Sequence, residues 1–265
     1  MRRGGTASQM IILMHSSKTM RTPTSAPAPT GTPALVDRAE ELVAYLRTLS
    51  PAELARVMKV SGDLAAKVRD THEEWSTKPD RQAPAAATFV GDIYSGLQVD
   101  TFTAADRAYA DKHLRILSGL YGILRPFDGI SPYRLEMGYR LPRGNLYTFW
   151  GTAIAEQLPA KGRIVNLAAG EYSRTVLPYV DAARVVTPKF LTVDAASGEA
   201  KFVVVHAKIA RGAFARWLVT GRVEEGAIRE FAEIGYRYDE GRSTPGEPAF
   251  VCEEFGGKGL SVRLT

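Results

Sequence analysis

Residues 114–138, LRILSGLYGILRPFDGISPYRLEMG, decide how this chain is read. Four glycines, two prolines, three arginines, two tyrosines and two carboxylates interrupt an otherwise apolar stretch. The spacing of Leu114, Leu117 and Leu120 predicts one face of a helix, and Gly119 and Gly122 bracket a turn where positive φ or close backbone approach is cheap. Such a turn leaves backbone N–H groups free to face an anion, with Arg115, Arg125 and Arg134 supplying positive charge. Residues 117–126 therefore have two readings. Either the glycine turn grips a DNA phosphate without reading bases, or it only lets two helices reverse direction.

Outward from this segment, residues 10–14 predict a buried strand that delivers His15, Ser16, Ser17, Lys18 and Thr19 at its carboxyl end, where α/β folds place ligands. Residues 20–34 are rich in Thr, Ser, Pro and Ala and read as a surface loop. Helices are expected over 36–49, 51–60 and 62–75. The second is opened by a Ser50/Glu53 capping box with Pro51 at its first position. Thr103 and Asp106 cap a further helix, and Asn145 opens another that ends near Leu158. Residues 163–167, 185–190, 202–205, 236–238 and 249–252 are expected strands, and 206–220 a helix from which Lys208 and Arg211 project together. These elements predict an α+β fold, a single compact body with a mixed sheet surrounded by helices. Residues 10–255 form that body, 1–9 an N-terminal extension and 256–265 a tail.

The chain has 265 residues, 45% of them hydrophobic, enough for a sizeable core. A net charge of +5 favours an anionic partner but is far from a nucleic-acid-coating tail. Positive charge is concentrated locally: Lys201, Lys208, Arg211 and Arg216 occur with no acid between them. One cysteine, Cys252, excludes an internal disulfide and a cysteine-rich metal site, and fits a reducing cytoplasm. The N-terminal apolar patch is too short for a signal-peptide core or a membrane span. His15, His72, His113 and His206 lack metal-ligand spacing, so no metal and no cofactor are expected.

Several further segments carry a resemblance: FVGDIYSGL (89–97), LYTFWG (146–151), NLAAGEY (166–172), AKIARG (207–212) and GYRYDE (235–240). With 114–138, and in this order, they resemble the YaaA-like family of bacterial proteins linked to peroxide stress, over roughly residues 10–255. The resemblance implies a fold with a helix-hairpin-helix element, binding of duplex DNA in a basic cleft, and protection against peroxide and iron-driven damage. The chain departs from the family pattern where His15-Ser16-Ser17 replaces Ser-Pro-Ala, where Lys208-Ile209 replaces two lysines, and at Ala169-Gly170.

Candidate anion- or DNA-binding residues are Ser17, Lys18, Thr19, Arg115, Gly119, Gly122, Arg125, Tyr133, Arg134, Asn166, Lys189, Lys208 and Arg211. The alternative is an enzyme acting on an anionic small molecule, a nucleotide or carboxylate. Lys18, Glu136, Glu171 and Tyr172 are then its catalytic groups. Glu136 and Glu171 either form a carboxylate pair for proton transfer or each neutralise an arginine such as Arg134. Convergence of Lys18, Glu136, Asn166 and Glu171 separates an enzyme from an open DNA groove.

Overall fold

A computed structural model describes residues 10–23 and 26–260. The predicted extension 1–9 and the end of the tail, 261–265, lie outside the described residues. At the centre is β1 (Ile11–His15), buried along its whole length. It is flanked by β2 (Leu114–Ser118) and β4 (Ile164–Asn166), both parallel to it, with Leu13 opposite Arg115 on one side and Asn166 on the other. β3 (Gly122–Leu124) folds back antiparallel on β2, and β5 (Val185–Val186) pairs parallel with β4. The resulting mixed sheet has the order β5-β4-β1-β2-β3. A strand buried on both faces reads as an unbroken apolar run, as Ile11–Met14 does.

Residues 117–126 are thus a β-hairpin, and the helix-hairpin-helix expectation is overturned. Leu114, Ile116, Leu117 and Ser118 are buried, and β2 is paired on both sides, parallel to β1 and antiparallel to β3. The glycines serve packing. A Cβ on Gly119 would lie 2.3 Å from the Leu135 carbonyl oxygen, and Gly122 adopts φ +70 against the Trp150 ring.

A second sheet is built from β6 (Lys189–Val193), β7 (Ala200–Lys201), β8 (Tyr236–Thr244) and β9 (Glu247–Cys252), in the order β7-β6-β9-β8. Residues 202–205 do not form the expected strand: the chain leaves β7 and enters a helix at Val204. Phe190, Phe214, Phe231, Tyr236 and Phe250 pack edge-to-face and stacked beneath this sheet, with centroids 4.8 to 6.1 Å apart. Each buried ring contributes roughly 2 to 3 kcal/mol.

The helices follow the sequence signals closely. α1 (Val36–Thr48), α2 (Pro51–Met58) and α3 (Gly62–Glu74) wrap one flank, and α2 opens on the Ser50/Glu53 capping box. α4 (Asp92–Leu97) and α5 (Ala104–His113) lead into β2, α5 opening on the Thr103/Asp106 box. The helix opened by Asn145 stops at Trp150, because Gly151 takes φ +50, and resumes only as a single turn at Ala155–Gln157. α6 (Val204–Thr220) runs beside α4 at backbone contact. A Cβ on Gly96 would sit 2.1 Å from the Ile209 carbonyl oxygen, and one on Gly212 1.9 Å from that of Ile93. Two glycines therefore set the position of the helix that carries Lys208 and Arg211. One contiguous core runs from Met10 to Phe255.

Candidate ligand site at the strand ends

The carboxyl ends of β1, β2 and β4 lie side by side, the place where parallel sheets present ligand-binding groups. From β1 come His15 and Ser16, from β2 Ser118, and from the segment after β4 the residues up to Tyr172. His15 is buried; its Nδ1 accepts the Ala169 N–H at 3.3 Å, and its ring stacks on Tyr172 with centroids 5.0 Å apart. Its carbonyl oxygen accepts the Tyr94 hydroxyl at 2.9 Å. Burial, then the nearby Arg211 and Lys208 charges, push the His15 imidazole down to about 3, so it is neutral at physiological pH.

Tyr133 shares a 2.6 Å hydrogen bond with Ser118. Burial raises it to about 12 and lifts Tyr94 and Tyr172 well above the ordinary phenol range, with Ser16 facing both Tyr133 and Tyr172. All three phenols are neutral hydrogen-bonding groups here.

Beside them Glu136 is buried, while Lys18, whose side chain is 62% exposed, reaches its Oε2 at 2.7 Å. Tyr139 donates to Oε1 of the same carboxylate and is raised to about 12 by burial and by Glu136. Glu171 accepts the Gly138 N–H at 2.7 Å, and both carboxylates raise Tyr172. The cationic partner of Glu136 is therefore Lys18, and neither carboxylate forms an ion pair with Arg134 among the described residues. Arg134 instead faces Tyr139, and its Nε is buried without a hydrogen-bond partner.

Of the predicted binding residues, Lys18, Tyr133, Lys208 and Arg211 belong to this cluster. Asn166 is adjacent but shapes the turn: its Oδ1 accepts the Ala168 N–H and its Nδ2 donates to Thr187. Ser17 and Thr19 are tied to Val90, by the Ser17 hydroxyl and by strand pairing. Arg115 and Arg125 stand at the opposite, amino-terminal end of β2. There Arg115 donates to the Asp111 and Leu114 carbonyls and Arg125 pairs with Asp111 at 3.6 Å. Gly119 and Gly122 are buried against Leu135 and Trp150, so their amides cannot grip a phosphate. Lys189 is engaged by Glu247 at 2.6 Å on the second sheet. A basic cleft uniting all these cations does not form, because β2 carries Arg115 to one end of the sheet and β1 carries Lys18 to the other.

The sequence placed His15 and Ser16 at a ligand-bearing strand end without naming them as binding residues, and gave no role to Tyr94 or Tyr139. The signal for the first two was positional: they stand at the carboxyl end of a buried parallel strand.

Fold and site together define a mixed α+β protein with a polar, cation-flanked site at the ends of parallel strands. Residues 10–242 match the family model described as peroxide stress protein YaaA, and the chain belongs to that family. It is 59% identical over 258 residues to a UPF0246 protein of Salinispora tropica, covering 96% of this chain and 98% of the relative. Similar proteins include a UPF0246 protein of Burkholderia vietnamiensis, 42% identical over 249 residues (88% of this chain, 95% of the relative), and one of Aliivibrio fischeri, 38% identical over 260 residues (92% and 99%). No helix among the described residues is long and apolar enough to cross a membrane.

Proposed function

We propose that the strand-end cluster binds an anionic small molecule, a phosphate or carboxylate, and that Glu136 and Tyr172, with Lys18, move protons on it. The observation that carries this reading is convergence. Lys18 is ion-paired to buried Glu136, and Glu171 is bonded two residues further along the same segment, with His15, Tyr172, Lys208 and Arg211 beside them. Lys208 and Arg211 supply charge, and Glu136 is a carboxylate already in hydrogen-bonded contact with two proton carriers. In the cell this activity serves defence against peroxide and the iron-driven damage that accompanies it.

Duplex DNA is the second reading. It is favoured by the exposed Lys18 and the net charge of +5, and it now rests on side-chain cations alone. The test is calorimetric titration of inorganic phosphate, a nucleoside monophosphate and a dicarboxylate into the native chain and into Lys208→Ala/Arg211→Ala, beside labelled duplex at several salt concentrations. Small-anion binding lost in the variant is the expected result. No response to any small anion, with duplex affinity falling steeply as salt rises, gives the site to DNA.

A further inference from the structure

His15 closes β1 with its ring fixed from three directions. Ala169 donates to Nδ1, Tyr172 covers one face, and Tyr94 holds the main chain through the carbonyl oxygen. An imidazole whose Nδ1 accepts a backbone N–H carries its proton on Nε2. The ring nitrogens point apart, so Nε2–H is directed away from Ala169. The side chains whose charge bears on the ring are Arg211 and Lys208 of α6, both cationic. Those two attract an anion by charge, whereas a rigid neutral N–H adds direction and no further positive charge.

We infer that His15 is a binding residue of this site, donating Nε2–H as an uncharged imidazole to an oxygen of the bound anion; the inference rests on the strand-end reading above. His15 thereby couples two functions. Through Nδ1 it anchors the segment that carries Tyr172, and through Nε2 it orients the ligand.

Two substitutions separate the functions. An Asn side chain places its oxygen where Nδ1 was and cannot reach the Nε2 position, so His15→Asn keeps the Ala169 bond and loses the donor. A Gln side chain reaches the Nε2 position with an amide N–H, so His15→Gln keeps the donor and loses the anchor. Imidazole 15N spectra of the full chain at pH 7 are expected to show the neutral Nε2–H tautomer and a shift of that nitrogen when inorganic phosphate is added. His15→Asn is expected to bind phosphate about tenfold more weakly, with the Ala169 amide still protected from exchange, and His15→Gln to remain within about threefold of native. An Nδ1–H tautomer or native affinity in His15→Asn overturns the donor role alone, and an imidazolium overturns its uncharged character. Failure of the native chain to bind phosphate, a nucleoside monophosphate and a dicarboxylate alike, whatever the tautomer, overturns the strand-end reading beneath it.

Discussion

Asp128 illustrates how much one buried group governs. It is 2% exposed; its Oδ2 accepts the Arg125 N–H at 2.8 Å and its Oδ1 has no hydrogen-bond partner. Burial raises its carboxyl to about 6 despite the neighbouring arginines. The native state therefore holds this proton more tightly than the unfolded chain does. That preference stabilises the protein in acid and is lost as pH rises through about 6. Asp128→Asn, which can keep an oxygen for Arg125, should leave stability at pH 4 nearly unchanged. At pH 8 it should raise stability by at most roughly 3 kcal/mol, measured by chemical denaturation at both pH values. A gain at pH 4 equal to that at pH 8 would contradict the assignment.

Among the elements, the α4–α6 contact carries the most consequence for the site. Gly212→Ala inserts a methyl group into the Ile93 carbonyl and forces the helices apart, at a cost of roughly 1 to 3 kcal/mol. It should also weaken phosphate binding, since α6 carries Lys208 and Arg211. Gly170→Ala is the control: nothing lies within 4 Å of the added atom, and its effect on the melting temperature should be negligible. The sequence revealed unevenly what these elements do. Ser50, Pro51 and Glu53 announced α2 because capping is a local contract between neighbours. The strand β2 was misread because Leu114, Leu117 and Leu120 fit a helical face, and a short buried apolar run fits both periods. Lys18, Glu136, Glu171 and Tyr172 were legible as chemistry-bearing residues in distinctive motifs. The stacking of Tyr172 on His15 was not, since strand order, which spacing does not encode, brings β1 between segments more than a hundred residues away.

At the scale of the whole molecule, two of its four histidines are buried in the neutral form: His15, and His72, which is fully buried with neither ring nitrogen well hydrogen-bonded and is pushed down to about 4 by burial. Unfolding lets both take up protons below about pH 6.5, so their contribution to stability is present above that pH and lost as pH falls toward 4 and then 3. Between pH 6.5 and 5 the loss is roughly 2 kcal/mol per histidine. Denaturation of His72→Leu at pH 7 and pH 5 should show an acid loss smaller than the native chain's by roughly 2 kcal/mol. An unchanged slope would mean that His72 already holds a proton in the folded state.

β1 is the first described strand to leave the ribosome, yet its two partners are residues 114–118 and 164–166. The nascent chain must therefore carry an unpaired, largely apolar strand until residues 114–118 have been made, and the central sheet can close only after residues 164–166 follow. During that interval the exposed IILM stretch is open to chaperones and to strand pairing with neighbouring chains.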